Sequence, residues 1–227
     1  MSISGKPFEQ ESIYLPILPG PGDLHVRVAG RARGKPLLLF HGSGPDVTWR
    51  TWEPQMDAFG EVRRVYALDW PGWGDSAGER PTGPERFNPA PMIAMALQVM
   101  DVLDIGRMDI GGVSWGGLIG LELALTVPER VDRLLLVDAA CRPEDLASGR
   151  YEAVAQPVCL AWAEEDPLIP LSLGRALAAA LPNCSLHVFP GSTHWPHHLH
   201  ADAFNEMAVT FLDTSSQIDK ETRDPSA

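Results

Sequence analysis

The sequence has only three cysteines, Cys141, Cys159 and Cys184, an odd number without paired spacing. That excludes a disulfide framework or a cysteine zinc site and leaves buried, reduced thiols as the expectation. Positive charge is also scarce. Eighteen Lys and Arg stand against thirty Asp and Glu, a net charge of −12. No basic surface is available to displace counterions from a phosphate backbone, so nucleic acid and anionic membranes are excluded as partners. A small molecule is the expected partner, and a strongly anionic one would be repelled unless a local positive charge compensates. Long apolar runs are missing too. No stretch reaches the roughly 18 apolar residues that a membrane span needs. The first twenty residues contain Glu9 and Glu11 and no apolar core of signal-peptide length, so a cytoplasmic location is expected.

What remains is an ordinary soluble composition, 44% hydrophobic and 21% charged, in 227 residues. This length suits one complete α/β core. Residues 1–212 are read as a single domain and residues 213–227 as a polar tail with little to bury. Short β-rich runs alternate with longer helical ones, the pattern of a mostly parallel sheet covered on both faces. Expected strands are Leu24 to Ala29 (antiparallel), Pro36 to Phe40, Val62 to Leu68, Met108 to Val113, Val131 to Val137, Pro157 to Ala161 and Ser185 to Phe189. Expected helices are Trp49 to Phe59, Pro91 to Leu103, Trp115 to Val127, Leu171 to Leu181 and Ala201 to Leu212. The Pro/Gly-rich stretch from Trp70 to Pro91 reads as a functional loop.

Gly112-Val113-Ser114-Trp115-Gly116 follows an apolar strand and opens a helix, the context in which a Gly-x-Ser-x-Gly sequence forms a sharp turn that projects its serine. Ser114 is therefore the expected nucleophile. The Trp115 N–H, at a helix N-terminus, is placed to stabilise a developing oxyanion. A serine hydroxyl needs a base, and the base needs a carboxylate to fix its tautomer. His194 in Gly191-Ser192-Thr193-His194-Trp195 and Asp166 in Glu164-Glu165-Asp166-Pro167 each follow an expected strand, which puts both on the same edge of the sheet as Ser114. The order Ser, Asp, His agrees with that arrangement. His41-Gly42-Ser43-Gly44 follows the strand ending at Phe40, and Ser43 is expected to give the second oxyanion N–H.

These motifs, with Asp69-Trp70-Pro71-Gly72-Trp73-Gly74-Asp75-Ser76 and Glu165-Asp166-Pro167-Leu168-Ile169-Pro170, make the chain from about Leu24 to Leu212 resemble the α/β-hydrolase superfamily. The resemblance implies a mostly parallel eight-stranded sheet with helices on both faces, and acyl-enzyme hydrolysis without metal or organic cofactor. Within the superfamily, His41-Gly42-Ser43-Gly44-Pro45, His194-Trp195 and the run His200 to Asn205 are similar to carbon-carbon hydrolases that split meta-cleavage products. Val113 stands where those enzymes usually have Asn, and His198-Leu199 where Trp-Glu is expected. Their helical cap follows the strand that corresponds to Val131 to Val137. Here about twenty residues separate that strand from the next, too few for several helices. A cap that is absent or minimal is expected, and the cap's substrate-binding arginine has no counterpart.

Asp138 is a rival for the triad acid, and its other reading is a carboxylate bonded to a loop amide. Asp69 is expected to shape its loop. The cluster of His194, His197, His198 and His200 lacks acidic or cysteine partners at ligand spacing, so no metal is expected there. Trp73 and Trp195 are expected to line a substrate pocket. The favoured activity is cleavage of small carboxylic esters. Carbon-carbon bond hydrolysis and acyl transfer are the alternatives, with a non-catalytic binding protein behind them.

Overall fold

Residues 37–40 are apolar at every position, as are their counterparts in the central strands apart from Asp109, which pairs with Arg63, because both faces of the sheet are covered. Leu38, Phe40, Ile110, Leu134, Leu136, Leu160 and Trp162 pack into one core layer. Their alternate neighbours Leu37, Leu39, Leu135, Val137, Cys159 and Ala161 pack into the other, as the two-residue period of a strand requires. The computed structural model describes residues 9–17, 22–32, 34–83 and 88–213.

The strands are β1 (Glu11–Ile17), β2 (Gly22–Ala29), β3 (Leu37–Phe40), β4 (Val65–Leu68), β5 (Met108–Val113), β6 (Val131–Val137), β7 (Val158–Ala163) and β8 (Cys184–Phe189). They form one eight-stranded sheet in the order β1-β2-β4-β3-β5-β6-β7-β8. β1 and β2 pair antiparallel, as do β2 and β4, and all other pairings are parallel. Helices α1 (Glu53–Val62) and α7 (Ala201–Asp213) cover one face through Met56, Phe59, Phe204, Ala208 and Leu212. Helices α2 (Ala90–Val102), α3 (Trp115–Thr126) and α5 (Leu171–Ala180) cover the other. α3 is buried nearly all round, with ten of its twelve residues buried. That explains why it has no polar stripe.

The expected strands and helices are present, with three departures before residue 70 and two short helices beyond it that were not anticipated, Pro143–Ala147 and Pro196–Leu199. β1 was not anticipated. Ile13, Leu15 and Ile17 turn inward while Ser12, Tyr14 and Pro16 face out, but Glu11 and Pro16 weaken the strand signal, and a proline is tolerated because β1 is an edge. The helix expected at Trp49 to Phe59 divides into a 3₁₀ turn, Trp49–Trp52, and α1. The turn is capped by the Thr48 hydroxyl, which accepts from the Arg50 N–H at 3.3 Å. Because α1 continues to Val62, β4 begins at Val65 rather than Val62.

Between β6 and β7 there is only a five-residue helix, α4 (Pro143–Ala147), and a 3₁₀ turn at Arg150–Ala153. No cap of several helices exists among the described residues. Tyr151 fills the space instead: it is fully buried, and its hydroxyl accepts from the Arg142 N–H at 3.0 Å. All three cysteines are free thiols, Cys141 and Cys159 buried and Cys184 half-buried. No helix of the described residues is long and apolar enough to cross a membrane. Residues 214–227 of the expected tail lie outside the described residues, and Asp213 ends α7.

Candidate active site

The parallel register levels the carboxyl ends of the central strands. Phe40 lies opposite Gly112, Val113 opposite Val137, Val137 opposite Ala161, and Ala163 opposite Phe189. The turns that follow carry His41, Ser114, Asp138, Asp166 and His194, and all open on one edge of the sheet.

Ser114 sits between β5 and α3 at φ 56° and ψ −117°. Such a conformation costs an L-residue about 1–3 kcal/mol. The surrounding bonds hold it there: its N–H donates to the Val137 carbonyl at 2.9 Å, and its own carbonyl accepts from Gly117 and Ala140, each at 2.9 Å. The flanking glycines are needed for space. A Cβ on Gly112 would lie 2.3 Å from the Gly116 carbonyl oxygen, and one on Gly116 would lie 2.6 Å from the carbonyl oxygens of both Phe40 and His41. Because those obstacles are backbone, Gly116→Ala is expected to destabilise the fold by about 2–3 kcal/mol in urea denaturation. A change under roughly 0.5 kcal/mol would show that the strand and helix can separate freely. Trp115 opens α3, so its N–H has no acceptor within the helix.

The segment His41 to Gly44 passes directly beside this turn. A Cβ on Gly42 would stand 3.4 Å from the Ser114 Cβ and 3.8 Å from its Oγ. Two tryptophans clamp the segment. The Trp70 N–H donates to His41 Nε2 at 3.0 Å, and the Trp73 indole N–H donates to the Gly44 carbonyl at 2.8 Å. His41 Nδ1 lies 2.7 Å from the Gly42 carbonyl oxygen. With Nε2 accepting, the proton belongs on Nδ1, and complete burial pushes the imidazole pKa down to about 4. His41 is thus a neutral brace whose tautomer is fixed by its partners.

On the other side, His194 Nδ1 lies 2.6 Å from Asp166 Oδ2, and both residues are buried. Asp166 Oδ1 accepts from the N–H groups of Leu168 at 2.7 Å and Ile169 at 3.0 Å. Three donors around one carboxyl group match what an ionised carboxylate accepts. The imidazole proton then belongs on Nδ1, which leaves the Nε2 lone pair for a proton acceptor role. Asp138 is different. Its Oδ1 accepts from the Ala163 N–H at 2.7 Å, while its fully buried Oδ2 has no hydrogen-bond partner and lies 4.0 Å from His194 Nδ1. Burial first, and the neighbouring Asp166 charge after it, push the Asp138 carboxyl up to about 8, against the pull of the Ala163 N–H. Two carboxylates this close do not both ionise readily. Asp138 therefore carries the proton at neutral pH. As expected, Asp138 bonds a loop amide.

The remaining histidines do not converge. His197 and His198 both direct Nε2 at the Thr51 carbonyl, at 3.0 and 2.7 Å, and His200 directs its own at the Pro190 carbonyl. His197 and His198, on the short helix α6 (Pro196–Leu199), thus tie the His194 loop to the turn before α1, and His200 ties α7 to the end of β8, uses that sequence spacing did not suggest because the partners are backbone oxygens. Asp69 shapes its loop as expected: it accepts from the N–H groups of Trp49 at 2.6 Å and Asp75 at 3.2 Å. Its other contact, with His25 at 2.8 Å, was not foreseen.

Trp73 and Trp195 line two separate clefts. Trp73 borders one of about 390 Å³ with Ser43 and Arg80. Trp195 borders one of about 340 Å³ with Asp46, Arg50 and His198. Beside Asp166, Leu168 stands 70% exposed. Among the described residues no helical cap lies between β6 and β7 to cover this edge of the sheet.

Residues 35–153 match the family model described as alpha/beta hydrolase fold. The chain is 27% identical over an alignment of 277 positions to a 2-hydroxy-6-oxononadienedioate/2-hydroxy-6-oxononatrienedioate hydrolase of Burkholderia vietnamiensis, covering 88% of this chain and 95% of that protein. That alignment is longer than this whole chain of 227 residues, so the relative has segments without a counterpart here. Identity reaches 44% over 108 residues with a 2-hydroxymuconate semialdehyde hydrolase of a Pseudomonas species, over 47% of this chain and 37% of that one. Among solved structures, a predicted CIB-like hydrolase from Thermoplasma acidophilum superposes with a TM-score of 0.80 at 22% identity, covering 90% of this chain and 98% of the other. The family model spans more than half of the chain, and the sheet order and turn geometry agree with it: this protein belongs to the α/β-hydrolase family.

Proposed function

We propose that the chain is a serine hydrolase that forms an acyl-enzyme on Ser114, and that it cleaves a carbon-carbon bond beside a ketone in an unsaturated oxo acid. The observation that carries the chemical part is the buried His194–Asp166 contact at 2.6 Å on the same sheet edge as the strained Ser114 turn. Ser114 Oγ attacks the carbonyl carbon while His194 Nε2 takes its proton. The oxyanion sits against the N–H groups of Ser43 and Trp115. His194 returns the proton to the leaving carbon or oxygen, then takes one from the water that releases the acid. In the carbon-carbon case the 2-hydroxyl first tautomerises to a ketone. The electron pair of the breaking bond can then pass into the conjugated enolate.

Support for this substrate comes from the relatives, which are named as hydrolases of 2-hydroxy-6-oxo dienedioates and of 2-hydroxymuconate semialdehyde over most or nearly half of the chain. Small-ester hydrolysis is the second reading. It is favoured by the missing cap and by Leu168 standing in solvent, since an open site encloses little of its substrate. Assays on a coloured 2-hydroxy-6-oxo dienoate and on p-nitrophenyl acetate and butyrate separate the two. The first reading requires kcat/KM for the dienoate to exceed that for either ester by at least about 100-fold, a difference of roughly 2.7 kcal/mol in transition-state binding. The reverse order assigns the protein to esters.

A further inference from the structure

Arg80 is an arginine at the edge of the site that has no acidic partner among the described residues. Among the described residues its cleft, walled by Ser43, Pro45, Trp73, Pro81, Thr82 and Gly83 as well as Arg80 itself, carries no acidic side chain. It begins close to Ser114, because Ser43 follows Gly42, where an added Cβ would meet the Ser114 side chain at 3.4 Å. The guanidinium is held in place. Its carbon lies 5.1 Å from the centre of the Trp73 ring, and Nε donates to the Gly72 carbonyl at 2.7 Å. Gly72 has φ 77°, and a Cβ there would lie 2.4 Å from the Arg80 nitrogen, so the loop is folded tightly enough to fix where Arg80 starts. Trp73 is itself tied to Gly44. Both contacts leave the terminal amino groups of Arg80 available to an outside acceptor.

The neighbouring cleft makes the contrast. It has both Asp46 and Arg50, and Arg50 is already paired with Glu53 at 3.0 Å. In a chain of net charge −12, an anionic substrate meets repulsion everywhere except where a cation is left uncompensated. A preorganised guanidinium matches the planar fork of a carboxylate, and stacking on an aromatic ring lowers the entropy lost on binding. A single positive charge suits a carboxylate better than a phosphate dianion.

We propose that Arg80 is a specificity residue that binds the carboxylate end of the substrate in the Trp73 cleft while the reacting carbonyl lies at Ser114. The inference rests on the Ser114 reading above and adds the residue that holds the carboxylate and, with it, the orientation of the molecule bound there.

The test compares mono-p-nitrophenyl glutarate with p-nitrophenyl valerate, and a fluorophosphonate probe ending in a carboxylate with one ending in a methyl ester. In wild type, both anionic-to-neutral rate ratios should exceed those of Arg80→Gln at least tenfold. Arg80→Lys should retain more of each ratio than Arg80→Gln. Raising salt from about 20 to 500 mM should shrink the wild-type ratios, because an exposed charge is screened. Ratios that stay within twofold in Arg80→Gln overturn the proposal. Calorimetric binding of glutarate, weakened at least tenfold in Arg80→Gln, reads Arg80 without any chemistry at Ser114. If neither probe labels Ser114 in wild type, the hydrolytic reading fails, while the glutarate measurement still decides Arg80.

Discussion

Ser114→Ala should lower kcat by roughly 10⁵- to 10⁶-fold and abolish labelling by a neutral fluorophosphonate. The size follows from the division of labour in the proposed mechanism. Without Oγ no acyl-enzyme forms, and only the oxyanion donors and substrate binding remain to assist direct attack by water. The variant should keep its fold. Alanine has the same backbone demands as serine at φ 56°, and the bonds that fix the turn, Ser114 N–H to Val137 and Ser114 carbonyl from Gly117 and Ala140, are all main-chain. Unchanged thermal denaturation with lost turnover and lost labelling is therefore the expected combination. Labelling that persists in the variant would move the nucleophile elsewhere in the chain.

The turn around Ser114 was legible because its determinants are local. Gly112, Ser114 and Gly116 at fixed spacing between an apolar strand and a buried helix leave little room for another conformation, and the Cβ distances at the two glycines give the steric reason. The Asp166–His194 pair was also legible, since each follows its strand and the register brings the strand ends level. Long-range contacts made by backbone oxygens were not. Nothing in the spacing of His197, His198 and His200 reveals that their partners are the carbonyls of Thr51 and Pro190. The edge strand β1 escaped for a different reason: only Leu15 and Ile17 in it are buried, so its pattern is weak. The pairing of Arg80 with Trp73 depends on how the loop after β4 folds, and loop conformation is not encoded by periodicity.

Asp166→Asn should lower kcat roughly 10⁴-fold, whereas Asp138→Asn should lower it less than about tenfold at neutral pH. In the first variant the Asn carbonyl can still accept from Leu168 and Ile169. Its amide would then present a donor to His194 Nδ1. The imidazole must answer with a lone pair there and a proton on Nε2, the tautomer that cannot take a proton from Ser114. In the second variant the change is close to isosteric and isoelectronic, because the Asp138 carboxyl, pushed up to about 8 by burial and by the Asp166 charge, is already neutral. An Asn oxygen can keep the bond from Ala163. The same carboxyl makes stability depend on pH in a definite direction. Between the unfolded value of 3.8 and the folded value of about 8, the native state holds a proton on Asp138 that the unfolded state has released, so this carboxyl's contribution to stability falls as pH rises through that window. Asp138→Asn has no such proton. Its stability relative to wild type should therefore climb with pH, by at most about 1.4 kcal/mol per unit, and level off above about pH 8. Urea denaturation of both proteins at about pH 6 and pH 8 reads the difference. A gap that stays constant would show that Asp138 is ionised throughout, and a larger loss of kcat in Asp138→Asn than in Asp166→Asn would make Asp138 the acid that orients His194.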